Sequence, residues 1–195
     1  MTARTAATEA AHLIERLDRL ARRAEDRGDA IAELNPAQWE ALRYVARANR
    51  FSRNPAALAD YLGSTRGTVS QTLIALEQKG MIARHPSERD RRSIDLVLTS
   101  AGNAALRRDP IEHLAEDIAA ALGKEAEKLA EGLRASLAQA IARNDGKPFG
   151  ICHGCRHFRR NARPGTKQPH HCALLDAPLS AADSELICVE QAPAA

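Results

Sequence analysis

Four cysteines stand near the end of the chain as Cys152-x2-Cys155-x16-Cys172-x15-Cys188. Four thiolates satisfy a tetrahedral zinc ion or the four irons of a cubane cluster. Paired CxxC knuckles are the usual mark of a zinc ribbon. Here the first pair is a knuckle and the other two cysteines stand singly. His153, His157, His170 and His171 lie beside them in sequence. Each is able to replace a cysteine, and His170 or His171 would suit zinc; the plainer role is a polar neighbour or a hydrogen-bond donor to sulfur. Arg156, Arg159, Arg160, Arg163 and Lys167 share the segment. They offset the negative charge of a four-thiolate site, with solvated-loop and DNA-contacting roles as alternatives. Three chemistries are open: a 4Fe–4S cluster, a structural zinc, and a metal-free thiol–disulfide switch.

The compartment bears on that choice. The first twenty residues hold no apolar stretch and carry acids, unlike a secretory signal. No run approaches the ~18 apolar residues needed to cross a bilayer. A cytoplasmic location without membrane association is expected, and stable disulfides are rare there, so the cysteines read first as metal ligands. No nucleophile–base constellation or phosphate loop is visible, and the chain is not expected to be an enzyme.

The elements that must position this segment are mostly helical. Ala, Leu and Arg dominate, and all three favour helix. Over residues 6–27, Leu13, Ile14, Leu17, Leu20 and Ala21 recur at helical spacing. Asn35-Pro36 and Asn54-Pro55 each read as an N-cap followed by proline at the first helical position. Trp39, Leu42 and Val45 are the inward residues of one helix, and Ala57, Leu58 and Leu62 those of the next, which Gly63 ends. Ser64 or Thr65 caps a third helix ending at Gly80, with apolar Val69, Leu73, Ile74 and Leu76. Its opposite face carries Thr65, Arg66, Thr68, Gln71 and Thr72. Two short helices joined by a tight turn, the second with a small-polar and arginine face, make a helix-turn-helix. The pattern then shifts to two strands, 81–84 and 94–98, around an arginine-rich tip, with Ile94, Leu96 and Leu98 facing inward. This hairpin is a wing. Helix resumes from Thr99 or Ser100 to about Arg143, with a kink at Asp109-Pro110. Leu114, Ile118 and Leu122 form one apolar stripe, and Leu129, Leu133, Leu137 and Ile141 another. These stripes and the first helix require a partner. Residues 143–150 read as a linker.

From Pro36 to Arg92 there are ten Lys/Arg against five Asp/Glu, the local basic excess expected of a nucleic-acid surface. The stretches "TRGTVSQTLIALEQKGMI" and "ERDRR…LVLTSAG" resemble the MarR family of bacterial transcription regulators, and the likeness runs over residues 6–143. It implies a mainly α, winged helix-turn-helix homodimer that binds a pseudo-palindromic duplex, with the terminal helices as its dimer interface. By the resemblance, residues 64–72 enter the major groove. Arg66 is the candidate for a bidentate guanine contact, and Gln71 for adenine. Ser64 opens this DNA-binding segment, Thr65, Thr68 and Thr72 touch phosphates or thymine methyls, and Gly67 allows close backbone approach. Arg89, Arg91 and Arg92 reach the minor groove or flanking phosphates, with Asp90 orienting a neighbouring arginine.

The family does not account for residues 148–195. There the spacing of one close pair followed by single cysteines resembles high-potential iron–sulfur proteins and the small cluster-bearing subunits of some glycyl-radical enzymes. That resemblance implies a 4Fe–4S cluster on Cys152, Cys155, Cys172 and Cys188. Phe149, Phe158, Leu174, Leu175, Leu179, Ile187 and Val189 would be its apolar shell. The expected organisation is a dimerisation helix (1–34), a winged helix-turn-helix (35–99), further dimerisation helices (100–145) and a small irregular four-cysteine module (148–195). The expected function is a repressor whose cluster senses redox state, oxygen or iron, by reshaping the segment after the dimer helices. The alternative is a structural zinc with control by a small organic ligand between the helices.

Overall fold

A computed structural model describes residues 2–27, 34–87, 89 and 93–194. It is mainly helical, with the expected small hairpin and an irregular module behind it. Helix α1 (Ala3–Arg27) leads to α2 (Pro36–Arg47), α3 (Pro55–Leu62) and α4 (Arg66–Gln78). Both proline starts form as read. Asn35 accepts from the Gln38 backbone at 3.0 Å, and the Gln38 side chain accepts in return from the Asn35 N–H at 3.2 Å. Such a reciprocal cap satisfies two otherwise orphaned donors and is worth about 1 kcal/mol. Asn54 accepts from the Ala57 N–H at 2.9 Å. Gly63 closes α3 at φ 58°, the left-handed geometry that glycine adopts without strain.

Strands β1 (Ile82–Pro86) and β2 (Ile94–Leu98) pair antiparallel, from Ile82 opposite Leu98 to Pro86 opposite Ile94. The first strand begins one residue later than expected, because the Met81 N–H closes the end of α4 on the Leu76 carbonyl. Of the three residues expected to face inward, Leu96 is fully buried and Leu98 half-buried, but Ile94 is exposed. Ile94 pairs with Pro86 at the tip of the hairpin, beyond the reach of the core. That core is built on Trp39, Leu42, Tyr44, Leu58, Val69, Leu73 and Leu96.

The helical stretch expected from Thr99 to Arg143 is three helices. Thr99 caps α5 (Ser100–Leu106), and Asp109-Pro110 precedes α6 (Ile111–Leu122). A 3-10 turn from Gly123, at φ 51°, then leads into α7 (Ala126–Arg143). The kink at Asp109 was legible; the break at Gly123 was not read. Leu13, Ile14, Leu17 and Leu20 of α1 and Leu129, Leu133 and Leu137 of α7 all lie exposed. One chain therefore leaves both apolar stripes uncovered.

The terminal module is a three-stranded antiparallel sheet, β3 (Phe158–Arg159), β4 (His170–Cys172) and β5 (Ala177–Leu179), followed by α8 (Ala181–Ser184). It does not hang from a free linker. Phe149 is buried in the winged-helix core, its ring 5.1 Å from that of Tyr61 and 6.2 Å from that of Tyr44. Lys147 meets Asp60 at 2.7 Å. After α8 the chain returns to the α2–α3 connection. The Ile187 N–H donates to the Arg47 carbonyl and its carbonyl accepts from the Asn49 N–H, both at 2.9 Å. No described helix is long and apolar enough to cross a membrane.

Candidate nucleic-acid interface and candidate metal centre

Helix α4 is held against the core by Val69, Leu73 and Leu76, all buried. This fixes which residues face out. Thr65, Arg66, Gly67, Thr68 and Gln71 are exposed, with Ser64 and Thr72 half-exposed. Thr65, not Ser64, is the cap, accepting from the Thr68 N–H at 3.1 Å. The threonines are partly engaged within the helix: Thr65 and Thr68 hydroxyls lie 2.9 Å apart, and Thr72 donates to the Thr68 carbonyl at 3.1 Å. Neither Arg66 nor Gln71 makes a side-chain hydrogen bond or ion pair among the described residues. The two side chains able to make bidentate base contacts are thus the two left uncommitted.

The wing differs from expectation at Arg89. Its guanidinium turns back to donate to the Arg50 carbonyl at 2.7 Å and lies 4.8 Å over the Phe51 ring. Asp95 stands 3.7 Å away. Arg89 therefore ties the loop of the wing back to the α2–α3 connection. Asp90, Arg91 and Arg92 lie outside the described residues.

The four cysteines come from three separate pieces of the module. Cys152 lies in a 3-10 turn and Cys155 just after it, Cys172 ends β4, and Cys188 follows α8. All four are free thiols. Burial, then the neighbouring thiolates of Cys188, Cys172 and Cys155, push the Cys152 thiol up to about 12. Uncoordinated, that group is neutral at physiological pH, and a metal must displace its proton. Among the described residues, no three His, Cys, Asp or Glu side chains are gathered tightly enough to hold a single metal ion. Around one zinc, bonds of ~2.3 Å would bring the sulfurs to within roughly 4 Å of each other. In a four-iron cluster each sulfur binds a different iron, so the sulfurs stand farther apart.

Three of the four neighbouring histidines are held by other partners. His153 pairs with Glu185 at 2.6 Å and accepts from Arg160 at 3.0 Å. Buried His170 accepts at Nδ1 from the Asn161 N–H at 3.1 Å. His171 faces Asp176 at 3.1 Å. The expected apolar shell forms in part: Leu179 and Phe158 pack about Cys152, joined by Phe51 and Ala177. Phe149, Ile187 and Val189 belong to the winged-helix core instead, and Leu174 and Leu175 are exposed.

Phe51 was not singled out in the sequence, yet it joins the two sites. It belongs to the α2–α3 connection, packs on Cys152, and carries Arg89 of the wing on its ring. Cys188 is likewise spliced in: its neighbours Ile187 and Val189 bond to the Asn49 and Ser52 region, with the Val189 N–H donating to Ser52 Oγ at 2.9 Å. Beside the expected route through the dimer helices, the module has a direct contact with the α2–α3 connection, on which Arg89 of the wing also rests. No local pattern could signal a pairing 137 residues apart.

Residues 32–93 match the MarR family. Over 102 residues the chain is 29% identical to the HTH-type transcriptional regulator PecS of Dickeya dadantii (strain 3937), covering 52% of this chain and 61% of that protein. Among solved structures, it resembles a MarR transcriptional regulator from Methanosarcina mazei Go1, with TM-score 0.57, 20% identity, and 69% and 98% of the two chains covered. BldR from Sulfolobus Solfataricus is similar at TM-score 0.57 and 20% identity, covering 71% of this chain and 99% of that one. MepR of S. aureus, solved with DNA, aligns at TM-score 0.55 and 20% identity, covering 67% and 97%. At these identities the structural likeness is one of fold. The four cysteines lie outside residues 32–93.

Proposed function

Taking residues 32–93 as a MarR-family winged helix, we propose that this chain is a homodimeric DNA-binding transcription regulator, acting as a repressor. The observation that carries this reading is the outer face of α4, where Arg66 and Gln71 stand uncommitted above a buried apolar face. The uncovered stripes of α1 and α7 support the dimer. Pairing them would set two recognition helices ~34 Å apart, one turn of duplex, on a pseudo-palindromic operator. The test starts from an operator selected out of a random duplex pool. Arg66→Ala is expected to lower affinity for it about 10- to 100-fold, the value of one bidentate base contact. Binding to random duplex should change little. Equal losses on both duplexes would remove α4 from base recognition.

For the module, the reading is a 4Fe–4S cluster held by Cys152, Cys155, Cys172 and Cys188, sensing redox state, oxygen or iron. Its support is four free thiols, with Cys188, Cys172 and Cys155 close enough to act on Cys152, together with the other commitments of His153, His170 and His171. When bound, the cluster would supply a redox-active and removable crosslink among three chain segments. The protein's own part is to hold Cys152 and Cys188 against the α2–α3 connection, so that ligand loss is felt where Arg89 of the wing rests. Anaerobically purified protein should show a broad absorption near ~400 nm from thiolate-ligated iron. A Cys152→Ala/Cys155→Ala variant should lose both iron and band, and should bind the operator with altered affinity. One zinc per chain with no band would replace the cluster by structural zinc; unchanged operator affinity would refute the coupling.

A further inference from the structure

We propose that the loop over residues 159–169 of the cysteine module is a second DNA-contacting element, binding backbone phosphates outboard of the wing through Arg163 and Lys167. The proposal rests on the reading of α4 and the wing as a DNA-binding surface.

Position comes first. Arg89 of the wing donates to the Arg50 carbonyl, and the Arg50 side chain donates to the Pro178 carbonyl of β5. Both guanidiniums sit 4.8 Å from the Phe51 ring. The wing is therefore joined to β5 through Arg50. Arg163 and Lys167 line a groove with Thr166, Gln168, Pro178 and Ser180, so their loop borders the strand that Arg50 reaches. Arg50 thus links Arg89 of the wing to the strand that borders Arg163 and Lys167.

Charge and commitment come next. Arg156, Arg159, Arg160, Arg163 and Lys167 occur with no acidic residue between Cys152 and Asp176. Arg160 is engaged by His153, and Arg159 by the carbonyls of Arg156 and Phe158. Arg163 and Lys167 are exposed and make no ion pair or side-chain hydrogen bond among the described residues. The loop that carries them is braced. The Arg163 N–H donates to the Pro169 carbonyl at 3.0 Å, Thr166 donates to the Arg163 carbonyl at 2.9 Å, and His170 anchors Asn161. Two uncommitted cations on a braced loop, beside a surface already read as facing a duplex, fit evenly spaced phosphates. They make no demand on base sequence.

The test measures affinity of the full-length, metal-loaded protein against salt concentration, on two duplexes. One is the selected operator with about ten base pairs of flank on each side; the other is trimmed to the bases under α4 and the wing. With each phosphate contact contributing about 0.9 to the slope of log affinity against log salt, Arg163→Ala/Lys167→Ala should flatten the long-duplex slope by roughly 2 per chain. Affinity for the long duplex should fall about tenfold or more. On the trimmed duplex, variant and wild type should agree. Arg163→Lys should retain the wild-type slope. An unchanged slope on the long duplex, with wild type binding both, overturns this proposal and leaves the parent reading standing. Equal losses on both duplexes overturn it as well. If wild type binds neither duplex, the parent reading fails and this one with it.

Discussion

Asp109→Ala is expected to destabilise the fold by about 3–5 kcal/mol, the usual consequence of removing one partner from a buried ion pair. Asp109 is 6% exposed. Arg43 grips it with both arms of its guanidinium, Nε donating to Oδ2 at 2.7 Å and Nη2 to Oδ1 at 2.5 Å. The same carboxylate accepts from the Ile111 N–H at 3.0 Å and so caps the start of α6. Arg43 in turn lies 5.6 Å from the centre of the Trp39 ring. One carboxylate therefore fixes α2, the winged-helix core and the direction in which α6 leaves. Alanine removes both hydrogen bonds that this half-buried guanidinium donates to Asp109 and frees the first turn of α6. Asp109→Asn keeps an acceptor for Ile111 and should fall between. Urea unfolding gives the measurement, and a loss under about 0.5 kcal/mol, the range of an ordinary surface substitution, would show that the pair does not hold the joint.

Phe149→Ala should cost a similar amount, about 3–5 kcal/mol for a large aromatic removed from a core. It should also loosen the cysteine module. Phe149 is 7% exposed and sits at φ 47°, a backbone region in which a bulky residue is strained. Such a conformation persists only where packing over-determines it. Here the packing is the ring contact with Tyr61 and Tyr44, and the Lys147–Asp60 pair just before it. Alanine retains the strained backbone and loses the ring that compensates it. Phe149→Gly loses the ring but relieves the strain, so it should be the milder of the two. Limited proteolysis should cut the alanine variant near residues 144–150 before wild type. Matching unfolding midpoints and cleavage rates would mean that this segment is a plain tether.

Much of the helical architecture was legible because its signals are local. Asn35-Pro36, Asn54-Pro55 and Thr99 cap helices through bonds to residues three positions on. The spacing of Val69, Leu73 and Leu76 set the inner face of α4, which left Arg66 and Gln71 outside. What was misread depends on distance. Ile94 alternates correctly yet lies past the edge of the core. Phe149, Ile187 and Val189 are apolar and near cysteines, which placed them in a cluster shell; they serve the winged helix instead. Arg89 sits in an arginine-rich tip, but an aromatic ring 38 positions away in sequence draws it back to the α2–α3 connection.

The amino-acid sequence by itself determined the winged helix, the polar outward face of α4 and the set of four clustered cysteines, since caps, periodicity and cysteine spacing are properties of neighbouring residues. Only the tertiary structure decided where the cysteine module sits. That placement rests on Ile187 and Val189 bonding to the α2–α3 connection and on Phe51 packing on Cys152. These contacts join segments about a hundred residues apart or more, and their stability comes from burial that no local stretch of sequence displays.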